Sequence, residues 1–220
     1  ANGDGVDLFF SPYIKGPIRV RCPLVVTIHD LMDLVFPEYG GGRLSTALFK
    51  SMATRVGRRA DLILADSQYS ASDIARLLGL EQTKIQVLPI GLEERYRPLD
   101  DSRELDEVKK RYGIDAPYIY YLGNFKPHKN VQALIGAYAR LETGLRDRFT
   151  LVIGGREDRW FSERQNLVAQ LGVADRVRFI GQVDEADMPG LYSGAELFVF
   201  PSIYEGFGLP PLEAMACGTP

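Results

Sequence analysis

The 220-residue chain is poor in the side chains that most often build metal centres and disulfide frameworks. It has two cysteines, Cys22 and Cys217, and two histidines, His29 and His128, at spacings that match no metal-binding pattern. Reduced, buried thiols in a cytoplasmic protein are therefore the expected state of the cysteines. Two histidines are too few for a histidine-based metal cluster, so we expect no metal centre of that kind. No other cofactor is expected either.

The chain also lacks a charge excess and a long apolar run. Its formal net charge is −3 at pH 7, so no basic surface indicates a nucleic-acid partner. No apolar run approaches the roughly 20 residues that a membrane-spanning helix needs. The glycine fingerprint of dinucleotide-binding folds is absent as well. The apolar content of 45% and the charged content of 25% are those of an ordinary globular chain.

What the chain does contain is a repeated alternation of short apolar runs and helical patterns. This alternation predicts an α/β fold with parallel sheets that carry helices on both faces. A polar segment at residues 93–101 is the best candidate linker and divides the chain into predicted domains at residues 1–95 and 96–220. Neither half shows a whole sheet pattern, so we interpret both as incomplete parts of a larger two-domain protein. Strands are predicted at 6–10, 24–28, 61–65, 85–88, 118–122, 149–153, 177–180 and 197–200, and helices at 44–56, 72–78, 102–112, 130–141, 163–171 and 185–192, with a last helix opening at Pro210–Pro211.

Small and polar residues follow nearly every predicted strand. In open parallel sheets, ligands bind beyond the carboxyl ends of the strands, and small residues there let a ligand approach the backbone. The pattern favours a nucleotide-type ligand, although glycines at strand ends also serve simple turns. The residues concerned are Ser11, His29–Asp30, Asp66–Ser67, Gly91, Gly123–Asn124, Gly154–Gly155, Gly181, and Ser202 with Glu205.

Two glutamates eight positions apart, Glu205 and Glu213, flank the last strand-to-helix turn. The free amides of a helix N-terminus between them favour phosphate, and carboxylates accept hydrogen bonds from sugar or ribose hydroxyls. Alternatively, Glu213 complements the helix dipole and Glu205 is a solvated loop acid.

Basic residues suited to a phosphate group lie at two other strand ends. Lys126, His128 and Lys129 lie between a strand and a helix, where they could neutralise a diphosphate in place of a metal ion. His29 could donate to a phosphate oxygen or a sugar hydroxyl. A solvated basic loop and a histidine bonded to a loop carbonyl are the structural alternatives.

Three of these stretches together resemble the retaining glycosyltransferases of family four, the glycosyl transferases group 1. The segment Glu205–Glu213 resembles the family signature of two glutamates separated by seven residues, Tyr121–Asn130 its phosphate loop, and Thr27–Leu31 its histidine loop. The resemblance covers nearly all of the chain. It implies the GT-B fold, in which two Rossmann-like domains face each other and the second holds the nucleotide.

The resemblance also implies a role for each site residue in a metal-independent hexosyltransferase. Glu213 would bond the ribose hydroxyls, and Lys129 would neutralise the diphosphate. Glu205, His29 and the amides of Gly206–Gly208 would contact the donor sugar and its phosphate, with Glu205 and His29 as the catalytic pair. The remaining implied donor-binding residues are Gly123, Asn124, Lys126, Phe207 and Leu209.

Asn124 stands where the family pattern often has arginine. The contact that this arginine would make with the diphosphate is therefore unassigned, and Lys126 is a candidate to make it instead. The form Gly-Asn-x-x-Pro-His-Lys-Asn is similar to members that use mannose-type donors in polysaccharide assembly, which favours GDP-mannose over a UDP-sugar. The expected partners are a nucleotide sugar and a glycan or lipid-linked acceptor, with peripheral membrane association through a part outside this chain. A nucleotide-sugar-binding module without turnover, a nucleotide-sugar epimerase and a glycogen-type phosphorylase remain the alternatives.

Overall fold

A computed structural model describes residues 5–39 and 41–220, which form two compact units. The first unit comprises the described residues up to Gly91 together with Glu205–Phe207, and the second comprises Leu92–Tyr204 and Gly208–Pro220. The first predicted domain, at residues 1–95, includes residues 1–4 and Gly40, which lie outside the described residues.

The first unit is built on a parallel sheet of four strands in the order β1-β2-β3-β4. The packed strands are almost continuously apolar, as expected for a parallel sheet that is covered on its faces. The elements are β1 (Phe9–Ser11), β2 (Leu24–Thr27), α1 (Met32–Val35), α2 (Arg43–Arg59), β3 (Leu62–Ala65), α3 (Gln68–Leu78) and β4 (Ile85–Val87).

The core of the first unit is aliphatic. Val26 and Ile63 of the central strands pack with Val56 of α2 and Ile74 of α3, and all four side chains are fully buried. Helix α3 begins four residues before the predicted start because Ser67 serves as its N-cap and accepts a hydrogen bond from the Ser70 amide.

The second unit contains another parallel four-stranded sheet, in the order β7-β6-β5-β8. Strand β5 (Tyr118–Leu122) has the predicted bounds. The strand predicted at 197–200 is shorter than expected, because only Leu197 and Phe198 pair with β5 at the edge of the sheet. The elements are α4 (Ser102–Arg111), β5 (Tyr118–Leu122), α5 (Val131–Ala139), α6 (Thr143–Arg148), β6 (Thr150–Gly154), α7 (Phe161–Gln170), β7 (Val177–Gly181), α8 (Met188–Ser193), β8 (Leu197–Phe198) and α9 (Leu209–Ala216).

One face of the second sheet is covered by an aromatic cluster. Tyr118, Tyr120 and Tyr192 are fully buried and pack with Phe198 in edge-to-face geometry, with the rings of Tyr120 and Tyr192 5.6 Å apart. Phenolic hydroxyls inside a core need acceptors, and this requirement links the cluster to the candidate site described below.

Further differences concern two helices that were missed and one helix that begins later than predicted. Helices α1 and α6 are four and six residues long and were missed, because such short helices show no apolar periodicity. The helix predicted from Glu185 begins at Met188 instead. Asp187 precedes it in a turn, where its carboxylate pairs with Arg111 and accepts a hydrogen bond from the Tyr112 hydroxyl of the segment after α4.

Both cysteines, Cys22 and Cys217, are free and buried. None of the helices within residues 5–39 and 41–220 combines the length and the apolarity needed to cross a bilayer.

Candidate functional site

Glycines bring the backbone of three neighbouring strands together at the carboxyl edge of the second sheet. The Gly123 amide donates to Gly154 O at 3.0 Å, and the Gly155 amide donates to Gly181 O at 2.8 Å. Gly155 has a φ of +153°, and a Cβ atom there would lie 1.8 Å from Gly123 O. Only glycine fits at this position, so the backbone segments that follow these strands lie in close contact at this edge.

The basic loop after β5 has a defined shape. Asn124 Oδ1 accepts a hydrogen bond from the Lys126 amide at 3.1 Å, and Asp158 Oδ2 accepts one from the Phe125 amide at 3.0 Å. Asn130, with a φ of 55°, ends the loop and begins α5. Asn124 therefore holds the loop through its side-chain oxygen.

Not all of the basic residues of this loop are placed to meet a ligand. His128 is only 1% exposed, and its carbonyl accepts a hydrogen bond from the Ile203 amide at 2.8 Å. Lys126 and Lys129 are half-buried. Of the three, the two lysines are the candidates for an anion.

The Phe200 ring brings Lys129 and the start of α9 to one place. The Lys129 ammonium lies 5.5 Å from the ring centroid, and a Cβ atom on Gly208, the N-cap of α9, would lie 3.8 Å from Phe200 Cε1. No side chain caps α9, and Gly208 has a φ of 100°. The lysine charge and the positive end of the uncapped helix together create a positive electrostatic potential, which favours an anionic ligand.

Glu213 lies one turn into α9 and is held by the aromatic cluster. Its Oε2 accepts a hydrogen bond from the Tyr192 hydroxyl at 2.7 Å. Burial, and then the charge of Glu213, raises the pKa of Tyr192 well above its ordinary value. The same two causes raise the pKa of Tyr96 to about 12. Tyr192 therefore remains a donor, and the carboxylate is fixed in orientation while Glu213 stays half-buried.

His29 lies at the carboxyl edge of the first sheet, where three strand ends meet. Its Nδ1 lies 2.8 Å from Asp66 Oδ2, beyond β3, and its Nε2 lies 3.0 Å from Pro12 O, beyond β1. The His29 side chain is 45% exposed and that of Asp66 is 8% exposed. Sequence analysis placed Asp66 at a strand end but missed this contact, which follows from the adjacency of β2 and β3.

Residues Glu205–Phe207 group with the first unit. Ser67 Oγ donates to Gly206 O at 2.6 Å, and Ser70 Oγ lies 2.9 Å from the same oxygen. A Cβ atom on Gly206 would lie 2.6 Å from His29 O. The predicted glycine at this position therefore permits a close backbone approach to the residue that carries the imidazole.

The remaining predicted residues, Phe207 and Leu209, are half-buried on either side of Gly208. Within the described parts of the chain, no three His, Cys, Asp or Glu side chains are grouped so that they could hold a metal ion.

Comparisons with protein families cover almost the whole chain. The profile of the family "Glycosyl transferases group 1" matches residues 103–220, and that of "Glycosyltransferase Family 4" matches residues 6–95.

Two curated relatives illustrate the match. The chain is 34% identical to the O-antigen chain mannosyltransferase B of Escherichia coli, over 97% of this chain and 55% of that protein. It is 32% identical to a D-inositol 3-phosphate glycosyltransferase of Salinispora tropica, over 97% of this chain and 48% of that protein. The chain thus spans about half the length of these relatives.

Solved structures agree on the fold. The crystal structure of HepE from Anabaena in complex with UDP and glucose superposes with a TM-score of 0.79 at 24% identity, over 97% of this chain and 58% of that one. The predicted α/β fold of the GT-B class is confirmed, and the chain covers part of it.

Proposed function

The chain belongs to the family of group 1 glycosyl transferases, and on that premise we propose that it takes part in transferring a hexose from a nucleoside diphosphate sugar to a glycan or lipid-linked acceptor. One observation carries the proposal. In the second unit, the Phe200 ring lies beside both Lys129 and the uncapped start of α9, and the same helix carries Glu213. A cation, helix-end amides and an oriented carboxylate are the groups that a nucleoside diphosphate requires.

Each group has a proposed partner on the donor. Lys129 and Lys126, with the amides at Gly208 and Leu209, bind the diphosphate. The carboxylate of Glu213 accepts hydrogen bonds from the ribose hydroxyls. Gly123 carries no side chain, which lets the donor approach the backbone at the sheet edge closely. Glu205, His29, Gly206 and Phe207 contribute to recognition of the donor sugar, as the family resemblance implies.

The chemistry that these groups support is electrostatic. When the bond between the sugar and the diphosphate breaks, positive charge develops on the sugar and negative charge on the leaving diphosphate. Fixed cations and helix-end amides stabilise the leaving group, because they are oriented before the reaction begins. The acceptor hydroxyl then bonds to the same carbon from the face that the diphosphate leaves, and its proton passes to the departing diphosphate. We infer retention of anomeric configuration and no bound metal, and neither Glu205 nor Glu213 needs to act as a nucleophile.

Mannose is the favoured hexose. Its support is the loop sequence Gly123–Asn130 and the mannosyltransferase name of one relative. The HepE structure contains UDP and glucose, so a UDP-sugar is the competing donor. Comparison of the binding affinities for GDP-mannose and UDP-glucose would show whether the protein prefers guanine or uracil.

The test is isothermal titration of the protein with GDP-mannose, UDP-glucose and UDP-N-acetylglucosamine. Glu213→Ala should weaken binding of the preferred donor by about 1–3 kcal/mol, because charge-assisted hydrogen bonds to the ribose are lost. Glu196→Ala is the matched control, since Glu196 is exposed at the opposite, amino end of β8. It should leave the affinity unchanged.

Other outcomes would point elsewhere. Equal donor affinity of Glu213→Ala and the unmodified protein would mean that Glu213 serves only its helix. Donor binding without transfer to any glycan acceptor would favour a binding module, and release of free epimerised sugar would favour an epimerase.

A further inference from the structure

The environment of His29 contains a buried acid that has no assigned role. Asp66 follows β3 directly, and its side chain is 8% exposed. One carboxylate oxygen lies 2.8 Å from His29 Nδ1. The acid also precedes Ser67, the N-cap of the eleven-residue helix α3, and a negative side chain is stabilised near a helix N-terminus.

The His29 ring has two hydrogen-bond partners, the Asp66 carboxylate and the Pro12 carbonyl, and their chemistry decides which ring nitrogen carries the proton. An ionised carboxylate has acceptors only, and so has the carbonyl of Pro12, which lies 3.0 Å from Nε2. Both hydrogen bonds exist together only when both ring nitrogens carry protons. The neutral ring can keep one of them, and a hydrogen bond to a charged oxygen is the stronger. The proton therefore stays on Nδ1.

We propose that Asp66 is the positioning residue of His29: its carboxylate holds a proton on Nδ1 and fixes the plane of the ring, so that the Nε2 edge is presented to the substrate. The two ring contacts differ in a way that suits this role. The Asp66 side chain is buried, whereas the contact between Nε2 and the Pro12 carbonyl is exposed. A hydroxyl or phosphate oxygen of the substrate can replace Pro12 without disturbing Asp66. The tautomer part of the proposal depends on geometry alone, and the catalytic part rests on the proposed function.

The tautomer is measured by nitrogen NMR of protein labelled with 15N-histidine, at a pH of about 8, where an ordinary imidazole is neutral. The chain has only two histidines, so His29→Ala identifies the His29 signals by their disappearance. We expect Nδ1 of His29 to carry a proton in the unmodified protein. An unprotonated Nδ1 would overturn the proposal without any further variant.

Asp66→Asn changes the acceptor into a group that can also donate. Its amide can donate to Nδ1, and the ring proton should move to Nε2, where it can donate to Pro12 O. Asp61→Asn is the matched control, because Asp61 lies at the opposite end of β3 and is 59% exposed. The control should leave the His29 signals unchanged. Circular dichroism spectra and thermal unfolding curves that match those of the unmodified protein would show that both variants are folded.

Turnover completes the test. With the donor and an acceptor that support transfer, Asp66→Asn should lower kcat about 10- to 100-fold, by analogy with other residues that orient a functional histidine. Donor affinity should fall much less than kcat, because the proposed contacts of Lys126, Lys129 and Glu213 with the diphosphate and the ribose lie in the second unit and are unchanged. A switched tautomer with unchanged kcat would overturn the positioning role. Absence of donor binding in the unmodified protein would instead contradict the proposed function, and the tautomer result would still decide the geometry.

Discussion

The two units use the same sheet architecture with different cores. The first core is aliphatic, with Val26, Ile63 and Ile74 fully buried. The second buries tyrosines such as Tyr118 and Tyr192, whose hydroxyls must find acceptors inside the protein. Tyr118 donates to Leu191 O at 2.7 Å, and Tyr192 donates to Glu213 Oε2 at 2.7 Å. An aromatic core can therefore directly orient a polar residue of the candidate site, here Glu213.

The first unit orients its candidate site residue, His29, by other means. His29 is held by hydrogen bonds to groups at the ends of neighbouring strands, the Asp66 carboxylate and the Pro12 carbonyl. The comparison predicts that core substitutions in the second unit affect the candidate site, whereas those in the first unit act mainly on stability.

Substitution of a glycine in each unit should give the largest difference between the units in lost unfolding free energy. Gly155→Ala in the second unit would place its Cβ 1.8 Å from a backbone oxygen at a φ of +153°. The backbone would have to move, so we expect a loss of about 3–5 kcal/mol in unfolding free energy. Fluorescence of the only tryptophan, Trp160, reports on this unit during urea denaturation.

Gly57→Ala is the counterpart in the first unit. Its Cβ would meet Leu80 Cδ1 at 2.4 Å, but that atom ends a flexible side chain. Repacking costs about 1–3 kcal/mol and is partly offset by the helix propensity of alanine, about 1 kcal/mol. Urea denaturation followed by circular dichroism would measure the change in unfolding free energy. A loss as large as that of Gly155→Ala would contradict the contrast.

Alkaline pH should destabilise the second unit selectively. Burial raises the pKa values of Tyr118, Tyr120 and Tyr192, and burial followed by the charge of Glu213 raises the pKa of Tyr96 to about 12. Below about pH 10, tyrosines are protonated in the folded and the unfolded chain alike. Above it, the unfolded chain loses protons that the folded unit keeps, so unfolding becomes easier as the pH rises from about 10 to 12.

Denaturation followed by Trp160 fluorescence across this pH range would measure the effect. Tyr192→Phe should flatten the pH dependence, while Tyr13→Phe, at an exposed position of the first unit, should not. A pH dependence that Tyr192→Phe leaves unchanged would assign the alkaline transition to other groups.

Removal of single hydroxyls should give the smallest effects and should separate two neighbouring tyrosines of β5. Tyr118→Phe leaves Leu191 O without its 2.7 Å partner and should cost about 1–3 kcal/mol. The Tyr120 hydroxyl is buried, and no described residue offers it a hydrogen bond. Tyr120→Phe should therefore be neutral or slightly stabilising. Equal losses in thermal unfolding of the two variants would show that the Tyr120 hydroxyl has a partner after all.

Much of the fold was predictable because its signals are local. The strand at Tyr118–Leu122 has its predicted bounds, since an apolar run ended by glycine needs no distant information. The last helix begins next to the predicted Pro210–Pro211 because proline suits the first helical turn. Helix α6 was missed, because six residues carry no readable period.

The family motifs and the glycines at the strand ends follow from the sequence alone, because each depends on neighbouring residues and on where glycine is sterically required. Tertiary structure alone decided which side chains orient the site. Asp66 and His29 are 37 positions apart and Tyr192 and Glu213 are 21 apart, and neither pair shares a pattern along the chain. Asp66 and His29 meet because parallel strands place their carboxyl ends at one edge of the sheet, and Tyr192 and Glu213 meet because helices α8 and α9 pack together. Strand order and helix packing are not encoded in any local stretch of sequence.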